Sequence, residues 1–105
     1  MKSEYSTEIV CIAELKAKPE KREELLKALS ELIPLSKGED GCLRYELHES
    51  VDDKNVFVFV DRFKDQKAWD YHCTTEHAEK YFEKIFPELT ESINYKIYKE
   101  LIFKN

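Results

Sequence analysis

Two histidines and one aspartate, which follow one another closely along the chain, are the residues of this sequence best suited to chemistry. Asp61 lies near the end of an apolar strand, and His72 and His77 follow on a helical stretch. Desolvation among aromatic rings raises the pKa of a carboxyl group, which makes Asp61 a candidate base. Imidazole titrates near neutral pH, so His72 is a candidate for taking a substrate proton. The pattern predicts proton transfer in an apolar pocket, with His72 and Asp61 as catalytic residues.

Each of these residues also has a purely structural interpretation. Asp61 could lie at the wet end of its strand and pair with an arginine. His72 could be a packed or capping histidine, and His77, at the start of a second helical piece, could hydrogen-bond locally instead of shaping a pocket. The sequence leaves both interpretations open.

A metal site is not expected from the spacing of these histidines. Helical ligand pairs are typically spaced i, i+4, as in H-E-x-x-H, whereas His72 and His77 are spaced i, i+5 across a predicted helix break. No glutamate or cysteine cluster completes a site with His72, Cys73 and His77. We therefore predict that the protein uses no metal.

Aromatic side chains are more numerous than a core of this size needs. The 105 residues include six Phe, six Tyr and one Trp. Strand alternation places three phenylalanines on the same face as Asp61, and Tyr and Trp can line a pocket for a planar substrate, although plain core is the preferred interpretation of Trp69. The candidate substrate-binding residues are Tyr45, Phe57, Phe59, Phe63, Trp69 and His77.

The composition excludes several classes of function. A net charge of −5, with lysines scattered among glutamates, argues against binding nucleic acid. No apolar run approaches the roughly 20 residues that span a bilayer, and the segment MKSEYSTE lacks a hydrophobic signal. Three cysteines without CxxC spacing do not indicate a disulfide framework. We therefore expect a cytoplasmic protein.

The elements that must position these residues follow in the order βαββαβ. Strands are predicted at residues 7–17, 42–49, 55–63 and 93–103, and helices at residues 19–34, 65–72 and 75–91. Asp65 and either Thr74 or Thr75 are the predicted helix caps, and Pro87 should kink or interrupt the last helix. This order predicts an α+β, ferredoxin-like fold with an antiparallel sheet, in a single domain covering residues 1–105.

The third predicted strand is apolar on both faces. Its phenylalanines alternate with Val56, Val58 and Val60, whereas an antiparallel sheet usually leaves one face to water. We expect helices to cover the phenylalanine face and a second copy of the chain to cover the valine face. The pattern therefore favours a homodimer.

The sequence also resembles the antibiotic biosynthesis monooxygenase superfamily, in particular its small quinol-monooxygenase-like members. The matching segments are E-D-G-C-L-R-Y (residues 39–45), the S-V-D-D turn (residues 50–53), the apolar third strand, and the spacing A-x-x-x-H-x-x-T-x-H that begins at Ala68. They cover nearly the whole chain. Asp61 and Phe63 stand where many members have Glu and Trp, which changes what the pocket can hydrogen-bond.

The resemblance implies a homodimer in which two four-stranded sheets form an α+β barrel. It also implies one of several chemistries: cofactor-free oxygenation of quinols and polycyclic aromatic ketones, isomerisation of a signalling sugar phosphate, or oxidative haem cleavage. The haem reaction is disfavoured because the first strand lacks an asparagine and because His72, not Trp69, aligns near the tryptophan that the haem enzymes use.

The leading hypothesis is a cofactor-free monooxygenase that uses O2 on a quinol or polycyclic phenol. His72, assisted by Asp61 or a water molecule, would take the hydroxyl proton. One alternative is an isomerase of a small phosphorylated carbonyl compound, which would need cationic side chains although Arg44 and Arg62 are predicted on the opposite faces. The other is a small-molecule-binding module without turnover.

Overall fold

The protein is described by a computed structural model over residues 2–104. A π-helical turn, Lys80–Ile85, joins two short helices into one continuous helical segment over residues 76–89. The elements are β1 (Lys2–Tyr5), β2 (Ile9–Ala17), α1 (Arg22–Lys37), β3 (Cys42–Glu49), β4 (Val56–Phe63), α2 (Gln66–Cys73), α3 (Glu76–Glu79), α4 (Phe86–Leu89), β5 (Thr90–Tyr98) and β6 (Leu101–Lys104).

The main sheet has four antiparallel strands in the order β3-β4-β2-β5. The two central strands are β4 and β2, and the helices connect β2 to β3 and β4 to β5. This is the split βαβ arrangement, so the predicted ferredoxin-like α+β fold is confirmed. Strands β1 and β6 pair with each other in a separate two-stranded ribbon.

The core lies between the sheet and its helices. The predicted phenylalanine face is confirmed, since Phe57, Phe59 and Phe63 are buried together with leucines of α1. Burying one such ring stabilises the fold by roughly 1.5–3 kcal/mol. The other face of β4 carries valines that are half-buried within one chain.

Two capping residues fix the helix break that separates the histidines. Asp65 accepts a hydrogen bond from the backbone N–H of Ala68 at 2.8 Å and begins α2. Thr75 accepts one from the N–H of Ala78 at 3.2 Å and begins α3. Both predicted caps are confirmed. The break places His72 in the last turn of α2 and His77 in the first turn of α3.

The predicted end of the first helix was wrong. Helix α1 does not stop at Pro34 but continues to Lys37. Proline removes one backbone donor, yet packing holds the last turn in place, because Leu32 and Ser36 are fully buried. The N–H of Gly38 then donates to the carbonyl of Pro34 at 3.1 Å and closes the helix.

The final strand also differs from the prediction of one strand over residues 93–103. Strand β5 ends at Tyr98, and β6 begins at Leu101 and pairs with β1, a segment whose polar sequence gave no strand pattern. This pairing joins opposite ends of the chain. The local periodicity of a sequence cannot predict such a contact. Pro87 does not interrupt the helical segment as predicted: it lies in the first turn of α4, directly after the π-helical turn, and the segment continues to Leu89. Within residues 2–104, no helix is long and apolar enough to cross a membrane.

Candidate functional site

A cavity of about 340 Å³ opens between the sheet and the helical residues 69–83. Its volume falls within the roughly 300–1,000 Å³ range of small-molecule sites. Three residues predicted for the site, Asp61, Trp69 and His72, meet in its wall. The remaining lining residues are Cys11, Ala13, Cys73, Ala78, Glu79, Phe82, Glu83, Ile93 and Tyr95.

Asp61 is the buried carboxyl group of this cavity. It is only 3% exposed, and its Oδ1 atom has no hydrogen-bond partner among the described residues. Burial, and then the negative charge of Glu39, raise the pKa of Asp61 to about 8. At neutral pH the protonated form therefore predominates, and the group can donate a proton. No arginine compensates it, because Arg62 pairs instead with Glu8 and Glu100.

The imidazole of His72 is packed among aromatic rings in the wall of the cavity. Its ring centroid lies 4.7 Å from that of Phe63, 5.5 Å from that of Trp69 and 5.8 Å from that of Tyr45. Burial lowers the pKa of His72, and its hydrogen bond to the carboxylate of Glu39 partly opposes this shift. The neutral ring is therefore favoured at neutral pH.

The hydrogen bonds of His72 determine which of its nitrogens is free. Nδ1 lies 2.8 Å from Oε2 of Glu39, and Nε2 makes no hydrogen bond to any residue between 2 and 104. Because a carboxylate can only accept, the Nδ1 of a neutral ring carries the hydrogen. The lone pair then lies on Nε2, which is the basic atom of a ring in the cavity wall.

Glu39 is a residue of this candidate site that was not predicted from the sequence. It lies in the loop between α1 and β3, its side chain is 5% exposed, and its Oε2 atom accepts hydrogen bonds from both His72 and His77. The distance to Nε2 of His77 is 2.6 Å. The sequence marked Glu39 only as part of the E-D-G-C segment. Its contact with His72 could not be read from local spacing, because 33 residues separate the two.

A close approach at Gly41 holds this loop against α2. A Cβ atom at Gly41 would lie 2.3 Å from the Cβ of Ala68, so only glycine fits without a shift of backbone or helix. The carbonyl of Gly41 also accepts a hydrogen bond from the N–H of Lys64 at 2.9 Å. These contacts bring Glu39 within reach of the last turn of α2.

The three residues Glu39, His72 and His77 also form a possible set of metal ligands. One ligand atom from each lies within 4.8 Å of the other two. The argument that no carboxylate completes a site with the two histidines was therefore wrong. It considered only residues near the histidines in sequence, whereas Glu39 comes from another loop.

The other predicted binding residues lie around this site without lining the cavity. Tyr45 and the phenylalanines of β4 belong to the buried core, where Tyr45 and Phe63 pack against the ring of His72. His77 faces a second depression of about 710 Å³, which Glu39 and Gly41 also line. The pocket residues Phe82, Ile93 and Tyr95 were missed because their pattern is that of an ordinary helix stripe and edge strand.

The cysteines of the site are not activated. Burial, and then the charge of Asp61, raise the pKa of Cys11 to about 12. Burial likewise raises the pKa of Cys73. Both stay as thiols at neutral pH, which makes them poor nucleophiles.

Comparison with known proteins finds relatives over most of the chain. The family profile described as "Antibiotic biosynthesis monooxygenase" matches residues 8–84. "Putative monooxygenase YcnE" of Bacillus subtilis is 40% identical over 76 residues, which span 72% of this chain and 80% of that protein. The crystal structure of protein SO0527 from Shewanella oneidensis has a TM-score of 0.92 and 38% identity, over 97% of this chain and 100% of that one. Rv0793 from Mycobacterium tuberculosis has a TM-score of 0.84 and 26% identity, over 93% and 99% of the two chains.

Proposed function

The chain belongs to the antibiotic biosynthesis monooxygenase family, and on that premise we propose that it is a cofactor-independent monooxygenase of quinols or polycyclic phenols. The observation that carries the proposal is the pairing of Glu39 with Nδ1 of His72. It leaves Nε2 as the basic atom of a ring that lines an apolar cavity. A base in that position can remove a hydroxyl proton from a bound aromatic substrate.

The reaction balances without a further reductant. Nε2 of His72 accepts the hydroxyl proton, and the quinol anion passes one electron to O2. The resulting radical pair combines at a ring carbon to give a hydroperoxide, which takes up the proton held by His72. The O–O bond then breaks, so that one oxygen atom stays on the ring as a carbonyl and the other leaves as water. All four electrons come from the substrate, which ends as a hydroxyquinone.

Asp61 supplies a proton in this scheme instead of removing one. Its pKa of about 8 keeps the carboxyl group protonated at neutral pH. Loss of water from the hydroperoxide requires a proton on the departing oxygen, and a buried neutral acid in the cavity wall can provide it. The ring C–H proton released as the carbonyl forms restores Asp61. The role proposed for this residue is therefore that of an acid, not that of the base expected from the sequence.

The chemistry of the cavity wall favours an uncharged aromatic substrate. Trp69, Phe82 and Ile93 supply apolar surface, and exclusion of water disfavours leakage of the radical intermediates. The lining residues within the described chain include Glu79 and Glu83 but neither lysine nor arginine. A phosphorylated carbonyl compound would meet negative charge here, so nothing in the cavity favours the isomerase alternative.

We further propose that the protein acts as a homodimer. Val56, Val58 and Val60 are half-buried on the outer face of the sheet, and Ile12 of the neighbouring strand is 40% exposed there. A second copy packed on this face would remove these side chains from water. Light scattering of the purified protein tests the proposal, since a monomer at micromolar concentration would contradict it.

Labelling with ¹⁸O2 tests the proposed reaction. The chelator-treated protein is incubated with reduced naphthoquinols and polycyclic phenols, and product and water are analysed by mass spectrometry. We expect one ¹⁸O atom in the product for each O2 consumed, with the other in water. Stoichiometric hydrogen peroxide and an unlabelled quinone would instead indicate a simple oxidase. Saturable binding without O2 uptake would indicate the binding module.

A further inference from the structure

We propose that Glu39, His72 and His77 bind a divalent transition-metal ion, and that the bound ion switches off His72 as a base. The first part rests only on the arrangement of the three side chains. The second part also rests on the proposed function, because it concerns the base in that reaction. The two parts are therefore tested by separate measurements.

The geometry of the three side chains is close to that of a metal site. Nδ1 of His72 and Nε2 of His77 lie 2.8 Å and 2.6 Å from the same oxygen of Glu39. All three ligand atoms lie within 4.8 Å of one another. A metal ion about 2.1 Å from each atom in tetrahedral geometry sets the ligand atoms about 3.4 Å apart, so the two nitrogens must move away from the Glu39 oxygen and towards each other by side-chain shifts of roughly 1 Å. Two imidazole nitrogens thus converge on one point beside a carboxylate.

The type of donor atom determines which ions would bind. Two imidazoles and one carboxylate suit Zn²⁺, Co²⁺ and Fe²⁺, whereas Mg²⁺ and Ca²⁺ prefer sites made of oxygen. The ligands are also held in position before binding, because Glu39 sits on the loop fixed at Gly41 and the histidines flank the capped break at Thr75. Such preorganisation lowers the entropic cost of binding.

The site has access to solvent at His77. His77 is 20% exposed, and it lines the second depression together with Glu39. Waters in that depression can complete the coordination shell. Its charged neighbours are mixed, since Asp40 and Asp65 line it alongside Lys64 and Lys67. The charge of Glu39 therefore remains the main electrostatic attraction for a cation.

Metal binding would exchange the roles of the two nitrogens of His72. Without metal, Nδ1 carries the hydrogen and donates it to Glu39. A metal ion needs the lone pair of Nδ1, so the ring hydrogen must move to Nε2. Nε2 then becomes a donor and cannot take a substrate proton. The charge of the neutral ring is unchanged, because only the tautomer differs.

The same contacts also have a purely structural explanation, in which both histidines donate to Glu39 and no ion binds. Isothermal titration of chelator-treated protein with ZnCl2, in the presence of a non-thiol reductant, separates the two explanations. We expect one Zn²⁺ per chain with a dissociation constant of micromolar or below, and no saturable heat with MgCl2. The absence of saturable heat at 100-fold molar excess of ZnCl2 would overturn the site.

Two variants test which residues hold the ion. His77→Ala removes one ligand and should weaken Zn²⁺ binding at least 10-fold. Cys73→Ser removes an exposed thiol that could bind zinc adventitiously, and it should bind like the wild type. Equal binding by wild type and His77→Ala, both folded by circular dichroism, would overturn the assignment. The ligand-field spectrum of the wild type with CoCl2 should show nitrogen and oxygen ligands, and a thiolate charge-transfer band would contradict it.

The switch is tested through O2 uptake at the Zn²⁺ concentration that saturates the titration. We expect uptake by the wild type to fall at least 10-fold and to recover when the ion is chelated. Full activity of the zinc-loaded protein would overturn the switch and leave the metal site in place. Because the titration needs no turnover, an inactive protein would refute the proposed function without refuting the site.

Discussion

The carboxylate of Glu39 and the imidazole of His72 face each other at 2.8 Å, although 33 residues separate them in the chain. Both side chains are 5% exposed. A charge-assisted hydrogen bond with so little solvent around it fixes both the orientation and the tautomer of the ring. The same carboxylate accepts a hydrogen bond from His77, so its position is determined from two sides. This pair is the basis of the proposed catalytic role of His72.

Replacing Glu39 by glutamine tests whether it acts through His72. The amide is nearly isosteric but uncharged, and we expect kcat to fall about 10- to 100-fold with a small change in KM. Loss of the charge removes an interaction that raises the pKa of His72. The acidic limb of the pH profile of kcat should therefore move to lower pH. An unchanged kcat together with an unchanged profile would show that Glu39 has only a structural role.

Asp61 should make the stability of the protein depend on pH. Its pKa is raised from 3.8 to about 8 on folding, so the folded state binds more protons than the unfolded state between these values. Its contribution to stability is fully present below pH 4 and is lost as the pH rises to about 8. The loss has a slope of at most about 1.4 kcal/mol per pH unit.

Asp61→Asn keeps the shape of the carboxyl group and removes this titration. Urea denaturation at pH 5, 7 and 9 should show that the variant gains stability relative to wild type as the pH rises. The pKa values of its neighbours Cys11 and Tyr45 are raised by burial, so neither of them titrates in this range. Parallel stability curves for the two proteins would contradict the raised pKa of Asp61.

A methyl group at Gly41 should damage the site through the loop that carries Glu39. Gly41→Ala places a Cβ atom against Ala68 at a distance that real contacts do not reach. We expect a loss of roughly 1–3 kcal/mol in the free energy of unfolding, with a lower kcat in the folded protein. Gly38→Ala is the matched control, because the nearest atom to its Cβ is 3.4 Å away. Equal behaviour of the two variants in urea denaturation and turnover would refute the role of the close approach.

The parts of the fold that depend on local pattern could be predicted from the sequence. Alternation gave the buried phenylalanine face of β4, and side-chain chemistry gave the caps at Asp65 and Thr75. These signals depend on residues two to four positions apart. Pairing of β1 with β6 depends on contacts between opposite ends of the chain, so no local pattern could indicate it.

The residues of the candidate site likewise fall into those that local pattern could predict and those that depend on long-range contacts. Asp61 and His72 were predictable because their residue types stand out in an apolar context. Glu39 was not, because it is one of many glutamates in the sequence and acquires its role only when Gly41 docks its loop on α2. Because Glu39 lies beside both histidines, the prediction that no glutamate completes a metal site with them was wrong. Long-range packing, not residue type, determines that part of the site.

The most direct test of the central claim is O2 uptake by His72→Ala on the best substrate of the quinol panel. Gln66→Ala is the matched control on the same helix, because the side chain of Gln66 is exposed, donates to Asp70 and lines neither depression. Loss of the base should lower kcat about 100-fold or more in His72→Ala, while Gln66→Ala keeps the wild-type rate. Wild-type turnover by a folded His72→Ala protein would contradict the assignment of His72 as the base.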